Sequence, residues 1–213
     1  SDCYGGYNQF MYVSDLRSDD IYVGGDKGSD NFFHQMQRFQ MMPIDAPGEI
    51  WENMFTGIER CNTVIDNLPN VEDIAPKKAE QYEAEARFLR AWYYHWLWKY
   101  LGNVPYYDHV LKAPYTADQI PADELYTHIM EDLDYCCAKS DGSYRLMDRP
   151  AESEWGRVTI YAAMMLRARV VLYQNDVTRF EQIYNDMDAI KRSSLFMLCN
   201  DYERIWTAEG EFV

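Results

Sequence analysis

Carboxylates are the commonest chemically capable side chains in this chain of 213 residues, with 35 Asp and Glu against 20 Lys and Arg. Pairs such as Glu83/Glu85, Asp132/Asp134 and Glu209/Glu211 have the residue types for general acid and base work. Glycosidic cleavage, however, needs two carboxyls flanking one bond, a geometry that sequence spacing does not supply. With this many acids chance pairs are expected, and solvated helix faces explain them. Asp15, Asp19, Asp20, Asp26 and Asp30 offer the oxygens calcium takes, without the sixth-position glycine and closing glutamate of an EF-hand loop. The histidines His34, His95, His109 and His128 are scattered, with no H-E-x-x-H, and there is no G-x-S-x-G, phosphate-binding glycine loop or dinucleotide fingerprint. Cys3, Cys61, Cys136, Cys137 and Cys199 are odd in number and lack C-x-x-C spacing. They read as small buried apolar residues, and form neither a disulfide framework nor a zinc site. The expectation is a non-enzyme with no cofactor and no metal.

Aromatic residues are a second resource, at 15% of the chain with 18 Tyr, 9 Phe and 6 Trp. Trp92, Tyr93, Tyr94, Trp96 and Trp98 fall in a helical stretch and are predicted to pack there. Another set falls in loops: Tyr22, Phe32, Phe33, Phe39, Tyr106, Tyr107, Tyr115, Tyr144, Trp155 and Trp206. Loops seldom have a core to fill. Aromatic faces stack on the C–H faces of sugar rings, while Asp, Asn, Arg and Gln bond hydroxyls. A polar loop with embedded rings therefore suits a saccharide or a peptide. The alternative, that these rings plug gaps between helices, stands beside it for each one. Within 24–45 the side chains with the best chemistry for a ligand are Asp26, Asn31, Phe32, Phe33, His34 and Arg38.

The elements that must position these residues are helical. Trp51, Met54, Phe55, Ile58, Ile65 and Leu68 recur at helical steps, with start signals at Asp45, Pro47 and Glu49 and a stop at Pro69. A second helix runs from about Pro76 to Leu101, its inner face read as Ala79, Tyr82, Ala86, Leu89, Tyr93, Trp96 and Tyr100. Gly102 and Pro105 end it. A third follows Pro121 with Leu125, Ile129, Leu133 and Cys136 on one side. A fourth carries Val158, Tyr161, Met165, Ala168 and Leu172, and a fifth Phe180, Ile183, Tyr184, Met187 and Ile190. The turn at Asn175-Asp176 makes the last two an antiparallel hairpin of about 34 residues, the tetratricopeptide length. Ser14 to Gly48 reads as irregular, with a short helix near His34 to Met41. Asn103 to Ala122 reads as a Tyr/Pro-rich connector, and Lys139 to Glu154 as a loop. Strand alternation is seen only at Leu195 to Leu198. The predicted class is all-α: tetratricopeptide-like helix pairs stacked into an irregular superhelix with long decorating loops over 1–213.

The formal charge of −15 argues against nucleic acid, which needs a cationic face to displace counterions. Val158 to Leu166 is uncharged but too short for a membrane span of about 20 residues. Ser1-Asp2-Cys3 opens straight into polar sequence. With the abrupt end at Val213, this predicts a fragment or a trimmed chain, so the compartment is not read from its ends.

Several strings together resemble the SusD/RagB family of nutrient-binding lipoproteins. They are Ser18-Asp19-Asp20, EIWENMFTGIERCNTVIDNLP with Trp51, Phe55, Ile58, Arg60 and Asn62, and AEARFLRAWYYHWLWKYLGNVPYYD over Ala84 to Asp108. GRVTIYAAMMLRARVVLYQND over Gly156 to Asp176 and the stretch from Asp186 to Leu198 complete the set. The resemblance implies the N-terminal helical portion of a chain about twice as long. It also implies a surface-exposed outer-membrane lipoprotein whose anchor is not Cys3. The implied partner is a SusC-like TonB-dependent transporter, and the implied role is non-catalytic capture of an oligosaccharide, or in some members a peptide, for import. The family has no strict binding motif, so the ligand residues above rest on chemistry alone. Arg60, Asn62, Glu85, Arg87 and Arg90 are predicted to fix helix pairs and not to touch ligand. A helical-repeat scaffold that binds only proteins is the rival reading.

Overall fold

The computed structural model describes residues 14–18, 20–24, 31–42, 48–197 and 201–207. Six helices appear among them: α1 (Asn31–Gln37), α2 (Gly48–Asn67), α3 (Pro76–Leu101), α4 (Ala122–Cys137), α5 (Ile160–Gln174) and α6 (Phe180–Arg192). Two minimal antiparallel pairs accompany them. β1 (Val104–Pro105) pairs with β2 (Gln119–Ile120), and β3 (Lys139–Ser140) with β4 (Ser143–Tyr144). The class is all-α, as expected. The short helix lies a few residues earlier than predicted, and residues 195–197 form no strand. The chain forms two compact units, residues 1–72 with 89–125, and residues 73–88 with 126–213.

In the first unit α2 and the second half of α3 run antiparallel, because Phe55 meets Tyr94 while Asn62, further along α2, meets Arg90, further back on α3. Their approach depends on Gly57, where an added Cβ would strike the Tyr93 ring. Met54, Ile58, Ala91, Tyr94, Leu97 and Val104 are buried in this unit. At roughly 1.5–3 kcal/mol per fully buried large apolar side chain, these contacts are the main driving force here.

In the second unit α5 and α6 form the predicted hairpin. Thr159 caps α5 by accepting from the Ala162 amide at 3.3 Å, and Asn175 ends it in the left-handed conformation at φ 59°. Ala84, Cys136, Leu146, Ile160, Ala163 and Met164 form a continuous apolar cluster. A partly buried ionic network joins α4, α5 and α6. Arg167 grips Asp186 with two nitrogens, at 2.9 and 2.7 Å, and gives a third to Asp134 at 2.9 Å. Arg179 shares Asp134 at 2.8 Å. Tyr135 lies between two guanidiniums, Arg87 at 4.4 Å and Arg145 at 4.3 Å from its ring centre. Burial, reinforced by Glu83, pushes its phenol up to about 12.

Two inner faces differ from expectation. On α3 Ala86 is buried as read, but the other buried positions are Ala84, Ala91, Tyr94, Leu97 and Trp98 with the polar Arg90 and His95, whereas Leu89 is exposed. On α5 Ala168 is buried as read, together with Ile160, Ala163, Met164, Arg167 and Val171, whereas Met165 and Leu172 are exposed. Both helices are apolar or aromatic around most of their circumference, so hydrophobic spacing has little contrast there.

Candidate functional site

The loop aromatics of the first unit separate into two populations. Tyr106 and Tyr107, in the connector after α3, are half-buried and serve the core. Tyr107 stacks on Phe55 at 6.0 Å with planes 15° apart, and Tyr106 packs on Tyr94 at 5.1 Å. The Tyr94 hydroxyl donates to the Tyr107 carbonyl and accepts from the Tyr107 amide, both at 3.0 Å. Burial raises the Tyr94 phenol far above its ordinary range, and burial with the Glu59 charge pushes Tyr107 up to about 12.

A polar knot holds this connector. Asn62 is fully buried, and its amide donates to the carbonyls of Tyr107 and His109, each at 3.2 Å. The Asn62 oxygen accepts from Arg90 at 2.8 Å, and Arg90 also donates to the Asp108 carbonyl at 2.9 Å. Asp66 accepts from the Val110 amide at 2.8 Å. Two of the stretches that carried the resemblance therefore meet here: Asn62 comes from α2, and Arg90, Tyr94, Tyr107 and Asp108 from α3 and the connector that continues it. Glu85 and Arg87 make ion pairs within the second unit, with Arg157 at 2.7 Å and with Asp132 at 3.1 Å. Arg60 departs from the expectation, because its side chain is exposed.

The stretch around α1 presents its rings outward. Tyr22 and Phe39 are 73% and 70% exposed, and Phe32 is exposed at one edge. The backbone beneath them is fastened at a few points. Gln37 donates to the Ile21 carbonyl at 2.9 Å and accepts from the Val23 amide at 3.4 Å, which ties residues 21–23 to α1. Ser18 donates to the Asp15 carbonyl at 2.7 Å. Leu16 and Met36 are buried below. Phe39 follows α1 in the left-handed conformation at φ 56°, with the Arg17 guanidinium 5.9 Å from its ring centre.

The predicted ligand residues are distributed unevenly. Phe32 and Phe33 meet edge to face at 5.3 Å, and Arg38 is exposed at the C-terminal end of α1. His34 is buried at 3% exposure, with the Tyr22 ring edge-on at 6.4 Å, and among the described residues neither ring nitrogen has a hydrogen-bond partner. Asn31 opens α1 through its backbone. Asp26 lies outside the described residues, as do Asp19, Asp30, Cys3, Cys199 and the Asp45 and Pro47 start signals. Sequence reasoning did not single out Arg17 or Gln37, whose roles depend on contacts with Phe39 and residues 21–23. Only the mixture of polar and aromatic residues could have flagged them. Among the described residues no cluster of His, Cys, Asp or Glu is placed to hold a metal, and no helix is long and apolar enough to cross a membrane.

Around α1 the arrangement offers hydrogen-bonding groups and exposed rings. A profile of the SusD-like family, described as starch-binding and associating with the outer membrane, matches residues 20–172. The starch-binding protein SusD of Bacteroides thetaiotaomicron is 25% identical over 154 residues, covering 68% of this chain and 25% of that protein. The surface glycan-binding protein A of Bacteroides fluxus is 42% identical, with a TM-score of 0.83 over 97% of this chain and 43% of its own. The Bacteroides thetaiotaomicron surface glycan-binding protein A, solved in complex with laminarihexaose, is 33% identical, with a TM-score of 0.83 over 97% of this chain and 42% of its own. The chain thus spans less than half the length of these solved relatives and a quarter of the curated one. With a family profile running through most of its length and helix pairs that superpose on the family's solved members, this chain belongs to the SusD-like family.

Proposed function

We propose that this chain is the N-terminal portion of a non-catalytic glycan-binding protein, held at the outer-membrane surface as a lipoprotein. It would capture an oligosaccharide and pass it to a SusC-like TonB-dependent transporter. The observation that carries this reading is the likeness to the laminarihexaose-bound surface glycan-binding protein, which runs through 97% of the chain at 33% identity. The exposed rings around α1 add to it, because outward-facing rings beside Arg38 have the chemistry that sugars require. Asp26, Asn31, Phe32, Phe33, His34 and Arg38 are the proposed contact region. Phe32 and Arg38 reach the ligand from the surface, and His34 backs them from below.

The test is calorimetry on the whole protein with laminarihexaose and maltohexaose, alongside assay of the same mixtures for cleavage. Saturable binding without turnover is the expected result. Released sugar would replace the reading with a hydrolase, and silence toward glycans with tight binding to a barrel transporter would replace it with a protein-binding scaffold.

A further inference from the structure

The second unit contains a groove of about 360 Å³ that the proposed contact region does not include. It lies among the loop before α5, the first turn of α5 and the strap after α6. Its volume is at the lower end of the roughly 300–1,000 Å³ typical of small-molecule sites. Trp155, Phe196 and Pro150 supply apolar surface, with Trp155 60% and Phe196 55% exposed. Asp148, Arg149, Thr159 and Ser194 supply polar groups around the same space.

The walls are set in advance. Met147 and Thr159 form a parallel bridge, and the Ile160 amide donates to the Met147 carbonyl at 2.9 Å, so the loop closes onto the start of α5. Ser194 turns the chain after α6 with φ at 57°, and Phe196 then meets Tyr161 of α5 edge to face at 5.4 Å. The Arg149 amide donates to one Asp148 carboxyl oxygen at 2.8 Å, which leaves the other oxygen as an acceptor. Among the described residues no partner is found for the Arg149 guanidinium. Thr159 accepts from Ala162, so its own proton is available to donate.

The geometry points to a second oligosaccharide subsite in this groove, separate from the α1 region and resting on the glycan-binding reading above. A sugar hydroxyl both donates and accepts. Asp148 beside Arg149 answers both roles, and Trp155 and Phe196 offer ring faces to the C–H surface. A purely apolar segment would leave the Asp148 carboxylate and the Arg149 guanidinium unanswered. An anion would meet the carboxylate in a chain of formal charge −15. The occupant is a neutral glucan segment of one or two rings.

The experiment labels the whole protein with 5-fluorotryptophan and assigns the Trp155 fluorine signal by its loss in Trp155→Phe. Laminarihexaose is then titrated in, with calorimetry on the same samples. The expected result is a saturable shift of the Trp155 signal that survives Phe32→Ala with Phe33→Ala. Arg149→Ala should weaken it by about fivefold or more. Heat of binding with an unmoved Trp155 signal overturns the groove and leaves glycan binding standing. A shift that disappears with Phe32 and Phe33 also overturns it, because there is then one site. Neither heat nor shift overturns both readings. Trp155 is largely exposed, so Trp155→Phe should fold, and circular dichroism checks that it does.

Discussion

The connector at 103–122 and the stretch around α1 look alike as sequence, since both are polar loops set with tyrosine or phenylalanine. Their structures diverge. In the anchored part of the connector Tyr106 and Tyr107 turn inward, and Asn62, Arg90, Tyr94 and Asp66 of α2 and α3 bind its backbone, whereas Tyr115, beyond the last of these anchors, is 72% exposed. Around α1 the backbone is tied mainly by Gln37 and Ser18, and Tyr22, Phe32 and Phe39 face out. The difference is made by polar anchors reaching the loop's carbonyls, because a buried loop must have every backbone group satisfied. Where anchors are many, rings can be spent on packing. Where they are few, the rings remain available to a ligand.

This contrast can be broken most forcefully at Arg90. Arg90→Ala removes two charge-assisted hydrogen bonds and leaves the Asn62 oxygen and the Asp108 carbonyl unsatisfied. It should cost about 3 kcal/mol or more in urea denaturation. Glycan affinity of the folded fraction should hold. A variant with unchanged stability and lost binding would put Arg90 in the site and erase the distinction.

Tyr94→Phe should cost about 1–3 kcal/mol, since it strands the Tyr107 amide and leaves the Tyr107 carbonyl with Asn62 alone. Alkaline pH tests the same knot. The folded-state phenols of Tyr94 and Tyr107 are raised by burial, Tyr107 to about 12, so the fold favours their protonated forms. That stability is fully present below the unfolded value near 10 and is lost as pH rises through the folded values. Urea midpoints should therefore fall in strong alkali, less so in Tyr107→Phe, which cannot ionise there. An equal fall in both would deny Tyr107 its buried role.

On the other side of the comparison, Phe32→Ala with Phe33→Ala should weaken glycan binding by about 1–3 kcal/mol, as calorimetry would read it. The unfolding midpoint should move much less than for the Arg90 variant. Unchanged affinity would shift the contacts away from α1. The smallest effect is expected at Phe39. Phe39→Gly relieves a left-handed backbone at φ 56° but loses the Arg17 contact, so thermal unfolding should register a net change under about 1 kcal/mol. A large loss there would show that the outward rings hold the fold after all.

Helix existence and ends were legible wherever punctuation was strong. Pro76 and Gly102 bracket α3, and Pro121 precedes α4, whose face of Leu125, Ile129, Leu133 and Cys136 is buried as read. Which face of α3 and α5 turns inward was not legible, because ring and aliphatic residues occupy nearly every direction on those helices. Small residues such as Ala84, Ala91 and Ala163 mark the tight contacts there, with Arg167 defined by its carboxylate partners. The site was legible only as composition. Nothing in the residue types separates Tyr107 from Tyr22, since the separation comes from hydrogen bonds spanning 13 to 47 positions of chain. The groove lined by Trp155 and Phe196 was hidden for the same reason, its two walls lying on either side of the α5–α6 hairpin.

The Asn62 side chain bears on how such a protein ages. Hydrolysis of its amide would place a carboxylate oxygen against two carbonyls that now receive protons. Side-chain deamidation ordinarily proceeds when the following backbone nitrogen swings round to attack. Thr63 follows Asn62 inside a continuous helix, which holds that nitrogen in the wrong direction, and water is excluded from the amide itself. The helix that uses the residue as a fastener thus also preserves it chemically.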